Sequence, residues 1–135
     1  MMRLSLFIVA GAALITAQAT AVAQSADKVF ICAFNEVREC KPFGDCKRVS
    51  PKDANLAPIV MLDLEKKELV SISMGDPDRE ELIGGIKSTD GAVYLHGQQG
   101  KEAWSAVISL KTGSMTANIS VEDLGFVVFG NCAPK

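Results

Sequence analysis

The chain has 135 residues, 48% of them hydrophobic, and a formal net charge of −2. That is apolar material for one core. With no basic run longer than a pair such as Lys66-Lys67, and no basic face interleaved with aromatics, it is a poor match for a nucleic-acid surface.

Taken in order, residues 1–23 read as an export signal. Arg3 gives the positive start, residues 4–15 are an uncharged apolar run, and Ala21-Val22-Ala23 offers the small-x-small pattern cut by signal peptidase. A spanning helix wants about 20 apolar residues, and here Thr16, Gln18 and Thr20 break the run. A lipid anchor is disfavoured too. The first cysteine, Cys32, follows Val29-Phe30-Ile31 instead of small residues and lies well past the apolar run. The expected product is one domain, residues 24–135, periplasmic or secreted and without stable membrane insertion after cleavage.

Export decides how the four cysteines are read. An even count in an exported chain points to two disulfides, and three pairings are open. Cys40–Cys46 with Cys32–Cys132 is favoured. Cys40 and Cys46 flank Lys41-Pro42-Phe43-Gly44-Asp45, a Pro- and Gly-punctuated loop that suits a bridge across a hairpin neck. The other pair would then tie the first strand to the last. A zinc site is disfavoured, since the close cysteine pairs are missing and His96 is the lone histidine. No C-x-x-C redox pair occurs. Nothing in the sequence calls for a metal or cofactor.

Beyond a polar leader at 24–28, residues 29–33 are apolar and β-branched. Residues 35–40 continue that strand or turn, and 46–49 make a return strand. Ser50-Pro51-Lys52-Asp53 is a helix-start signal, but Pro58 limits it to one short helical turn. Period-two stretches then follow at 59–64, 69–74, 82–88, 92–97, 103–110, 115–121 and 126–132. Gly75-Asp76-Pro77-Asp78, Asp90-Gly91, Gln98-Gln99-Gly100 and Lys111-Thr112-Gly113 supply the turns. Gly84-Gly85 marks a bulge or bend. In 103–110, Trp104, Ala106, Ile108 and Leu110 share one face; in the next strand Met115, Ala117, Ile119 and Val121 face inward. Turn signals every 10 to 12 residues without a long 3.6-period stretch predict an all-β fold. A cross-link between the first and last strands favours an antiparallel eight-stranded barrel over a strongly curved sandwich.

Glu39-Cys40 with Cys46, the connection from Ser50 to Pro58, Trp104-Ser105 to Ile108, residues 112–116 and the closing run 125–132 together resemble a group of small exported bacterial disulfide-containing β proteins of unassigned function. The resemblance spans most of the mature chain. Its motifs are turns, a core tryptophan and cysteines, so it implies fold and compartment and carries no catalytic residue. A looser likeness, at the level of fold alone, is to small periplasmic β-barrels that inhibit lysozyme. Their characteristic inhibitory loop is not evident here.

Three functions are weighed. The first is a non-enzymatic binding or inhibitor-type module for an envelope protein, with Lys41, Pro42, Phe43, Gly44 and Asp45 as the contact loop. A bridge-stiffened loop loses little entropy on binding, though an aromatic there also tends to fold back on the sheet. The second is a small-molecule carrier with a cavity lined by Trp104, Ile108, Met115 and Ile119, against the ordinary expectation that Trp104 is core. The third is a hydrolase using His96, with Ser105 or Ser109 facing it. No G-x-S-x-G elbow supports that reading, and a surface imidazole is the expectation. The acids at Asp76, Asp78, Glu80 and Glu81, and at Glu36 and Glu39, lack the pattern of a calcium loop and read as solvated. Intact-mass measurement of protein taken from its native compartment is expected to give a chain beginning at Gln24.

Overall fold

The computed structural model describes residues 28–72 and 80–135. The expected export signal and the turn Gly75-Asp76-Pro77-Asp78 lie outside the described residues. Among the described residues nine strands follow in order: β1 (Val29–Cys40), β2 (Lys47–Val49), β3 (Ile59–Asp63), β4 (Glu68–Ser71), β5 (Glu80–Ser88), β6 (Ala92–Gln99), β7 (Glu102–Ser109), β8 (Ser114–Val121) and β9 (Leu124–Pro134). Each of β3 to β8 pairs antiparallel with the next, as short links allow. β9 then pairs with β1, closing an eight-stranded barrel of which β2 is not a member. No helix among the described residues is long and apolar enough to cross a membrane.

Closure is made by the longest pairing in the molecule, Phe30↔Pro134 to Cys40↔Gly125. Cys32 lies directly opposite Cys132 in this ladder, and the two are disulfide-bonded with Cα atoms 4.0 Å apart. The Cys132 N–H does not bond to β1; it donates to Gly113 O at 2.7 Å. A non-hydrogen-bonded pair brings side chains closest together, so the register itself sets the two sulfurs within reach. The second bridge is Cys40–Cys46. With no cysteine free, the chain belongs to an oxidising environment, extracellular or periplasmic.

The period-two patterns become inside and outside of the barrel wall. Val93, Leu95, Ala106, Ile108, Met115, Ala117, Phe126 and Val128 are buried, and Tyr94, His96, Ser105, Val107, Thr116 and Asn118 between them are exposed. Leu110 departs from expectation. It lies past the end of β7 and is exposed, because Lys111-Thr112-Gly113 has already begun to turn the chain. In β4 the inner positions are Leu69 and Ser71, while Ile72 is exposed. The glycine pair at 84–85 does mark a bulge: Ile83 faces Gly97 and Gly85 faces His96, leaving Gly84 unpaired.

The strand outside the barrel, β2, pairs with β1 just beyond a bulge at Asn35, where the β1–β9 register slips. There β1 comes so close to β9 that a Cβ on Gly130 would lie 2.4 Å from Ala33 O. Along the other edge of β1, residues 29–33 pair with β3 and 37–39 with β2, both antiparallel. β2 and β3 therefore read as one interrupted strand, and the interruption, residues 50–58, plugs the barrel end. Its helical turn is a single turn, not an assigned helix. Ser50 Oγ accepts from the Asp53 N–H and donates to Asp53 Oδ2. Asn55 closes the turn at φ 54°, with Leu56 N–H on Pro51 O and Asn55 N–H on Lys52 O. These are the paired bonds of a Schellman stop. Leu56 and Ala57, which follow, pack against the core.

Loop-closure entropy ranks the two bridges. With 100 residues between its ends, Cys32–Cys132 is worth about 4–5 kcal/mol, and the six-residue Cys40–Cys46 closure about 2 kcal/mol. Denaturant unfolding of the paired serine variants is expected to show a much larger loss for Cys32→Ser/Cys132→Ser than for Cys40→Ser/Cys46→Ser.

Candidate functional site

The plugged end of the barrel carries two unusual features. The first is the hairpin between β1 and β2. Cys40–Cys46 closes its loop, and Lys41 O accepts from Gly44 N–H at 3.3 Å. Pro42 and Phe43 are the central residues of this turn, and Phe43 has φ 59°. Proline followed by a positive φ is the type II pattern, whose second central position belongs to Gly or Asn. Phe43 sits there instead, fully exposed. The neck below is braced: Glu39, only 15% exposed, lies 3.8 Å from Lys41 and 3.5 Å from Lys47. Glu36 pairs with Arg38 at 2.7 Å and with Arg48 at 4.0 Å. Exposed pairs of this kind add little stability individually, but together they fix the hairpin on both sides of the loop. The alternative of Phe43 folding back over the sheet is not what forms.

The second feature is a cavity of about 70 Å³ inside this end. Trp104, Met115 and Ile119 line it, as the carrier reading expected, but Ile108 does not; it is buried further along the barrel. Phe34 at the β1 bulge, Leu56 and Ala57 of the plug, Ser71 and Glu102 were not foreseen there. The plug residues carried no periodic signal, and only the barrel's closure brings them over β7 and β8. Trp104 is half-buried and its indole lies against the backbone of Gly97, its cross-strand partner. A Cβ on Gly97 would sit 2.5 Å from Trp104 Cε2. Trp104 Nε1 is fully buried without a hydrogen-bond acceptor.

The opposite barrel end is a wide concavity with Phe30, Val93 and Ile108 at its floor and Lys28, Asp90 and Lys111 at its rim. No buried side-chain polar atom among the described residues is left unpaired there.

His96 is on the outer wall, directly across from Ser105. Its imidazole covers the Gly84-Gly85 bulge so closely that a Cβ on Gly85 would overlap Nε2. Ser109 is opposite Ala92, four pairs away. Among the described residues no hydrogen bond or ion pair joins His96 to a serine or a carboxylate. Asp76 and Asp78 lie outside the described residues. Glu36 and Glu39 are engaged by the cations named above. The four cysteines are bonded in pairs and present no thiolate to a metal.

The chain matches no protein-family model, no curated protein and no solved structure. What fold and site define is a disulfide-stapled closed β-barrel that presents Phe43 on a bridged loop and has a small cavity at the same end.

The contact between Gly97 and Trp104 is testable. Gly97→Ala forces the indole off its seat and is expected to cost about 1–3 kcal/mol, the usual range for overpacking. As the chain has one tryptophan, a red shift of its emission reports the displacement directly.

Proposed function

We propose that this protein is an exported, non-enzymatic binding module, of inhibitor type, that docks on an envelope protein through Lys41–Asp45. The observation that carries the proposal is Phe43. A non-glycine residue in the left-handed region costs about 1–2 kcal/mol, and a fully exposed phenylalanine forgoes about 1.5–3 kcal/mol of burial. Selection for stability would remove both losses with one glycine. Strain retained in this way clusters where it serves contact with a partner. The bridge and the Glu39 and Glu36 ion pairs hold the ring in place before binding, which lowers the entropy lost on association. Buried aromatic anchors of this kind dominate protein interfaces.

The export-signal pattern in the sequence of residues 1–23 and the two disulfides support a periplasmic or secreted location. The barrel interior is filled by apolar side chains, whereas the interior of barrels that face lipid is polar. This supports a protein free of the membrane after cleavage.

Phe43→Gly relieves the positive φ and is expected to leave the folded state unharmed or to raise its stability by up to about 1 kcal/mol. In quantitative capture from periplasmic extract, the same variant and Phe43→Ala are expected to lose a partner that wild type and Phe43→Tyr retain. Identical capture by all four proteins would overturn the proposal.

A further inference from the structure

The two bridges differ in what surrounds their sulfurs. Cys32 is 0% exposed and Cys132 7%. Strand pairs of the β1–β9 ladder continue on both sides of them. Gly113 is pressed so close that a Cβ on it would lie 2.6 Å from Cys132 O. At the other bridge Cys46 is exposed and Cys40 half-buried. This bridge stands one step beyond Glu39↔Lys47, the last β1–β2 pair, at the neck of the loop. On β9, Cys40 lies opposite Gly125, where an added Cβ would meet nothing within 4 Å. The residue facing it across the ladder therefore leaves it uncovered.

Thiol–disulfide exchange needs an incoming thiolate to reach one of the two sulfurs. That approach is open at Cys46, and at Cys32 and Cys132 it is closed until β1 parts from β9. Charge does not favour one bridge over the other by itself: Glu39 and Lys41 flank Cys40, Asp45 and Lys47 flank Cys46, and the four cancel. What remains after opening also differs. Cys32 and Cys132 would still be held face to face by ladder pairs above and below them, and would re-close. Cys40 and Cys46 are held on one side only, by three β1–β2 pairs and the contacts of Glu39 with Lys41 and Lys47. Those contacts do not pass through the bridge, so the hairpin neck survives its loss. What is released is the turn at Pro42 and Phe43, held otherwise by Gly44 N–H donating to Lys41 O.

We infer that Cys40–Cys46 is a thiol–disulfide exchange site that takes a dithiol as its substrate, and that Cys32–Cys132 is the permanent tie. A thiolate of the donor attacks Cys46 Sγ. The Cys40–Cys46 bond breaks, and Cys40 Sγ leaves as a thiolate and takes up a proton. The strand pairs keep Cys40 near the mixed disulfide, where it can re-attack, so a second thiol already in place on the same donor is what completes the reaction. That thiol, as a thiolate, attacks the donor sulfur of the mixed disulfide and releases Cys46, which takes up the second proton. Two electrons and two protons pass to the bridge, and the donor becomes a disulfide. The opened loop no longer fixes Phe43 at its positive φ, so the exchange regulates the docking loop proposed above. That consequence rests on the reading of Phe43; the exchange itself does not.

The test is a map of thiols against time. Oxidised protein is incubated at neutral pH with dithiothreitol, a small dithiol, and separately with reduced thioredoxin, a protein one. Samples are alkylated with iodoacetamide and mapped by peptide mass. Cys40 and Cys46 are expected to be alkylated together, more than about tenfold faster than Cys32 and Cys132. In the one-bridge form the amide resonances of residues 40–47 are expected to move, while Cys132 N–H, bonded to Gly113 O, keeps its protection from hydrogen exchange. Opening of both bridges together, opening of Cys32–Cys132 first, or a one-bridge form that unfolds would each overturn the inference. The map needs no partner, so its outcome is separate from that of the Phe43 captures.

Discussion

Pairing of β1 with β9 is the interaction on which the rest of this molecule depends. Without it the chain is a strongly twisted meander with two open edges and one solvated face. With it the apolar faces of eight strands converge on a common interior, and Val37, Cys32 and Val128, at the seam, become completely buried. The bridge Cys32–Cys132 is part of this ladder, not an addition to it, since the two residues are already opposite each other in a close pair. A domain of this size buries a modest fraction of its surface. A covalent tie between its two sequence ends offsets that by restricting the unfolded chain.

A closed wall also determines where irregularity can survive. The bulge at Asn35 lets one edge of β1 serve two strands, β3 and then β2, and the chain between them has nowhere to go but across the barrel mouth. One end is thereby plugged and bridged, while the chain's described termini lie at the other. The strained Phe43 and the unpaired Trp104 donor both occur at the plugged end. Each is held by rigid surroundings that a free loop or an open sheet would not supply: a bridge and two braced acids in one case, the glycine seat on β6 in the other.

Much of this was legible in the sequence because a strand has a period of two and a turn has its own chemistry. The alternation through Trp104, Ala106 and Ile108, and through Met115, Ala117 and Ile119, gave the inner face. Gly84-Gly85 gave the bulge, and Ser50-Pro51 with Asp53 gave the capped turn. Other features were not readable. Leu69 and Val70 are both apolar, so pattern does not choose between the faces of β4. Leu110 fits the alternation but falls beyond the strand. Ile108 shares a face with Trp104, yet a barrel interior has depth, and the two residues belong to different levels of it.

Sequence alone determined the strand composition, the turn positions and the set of cysteines, because these depend on residues within a few positions of one another. Only the tertiary structure decided that β1 meets β9, that Leu56 covers the cavity wall, that Phe43 stands clear of the sheet and that Trp104 is left without an acceptor. Each of those depends on groups distant in the chain being brought to one place. Local propensity carries no information about what will be standing opposite when the barrel closes.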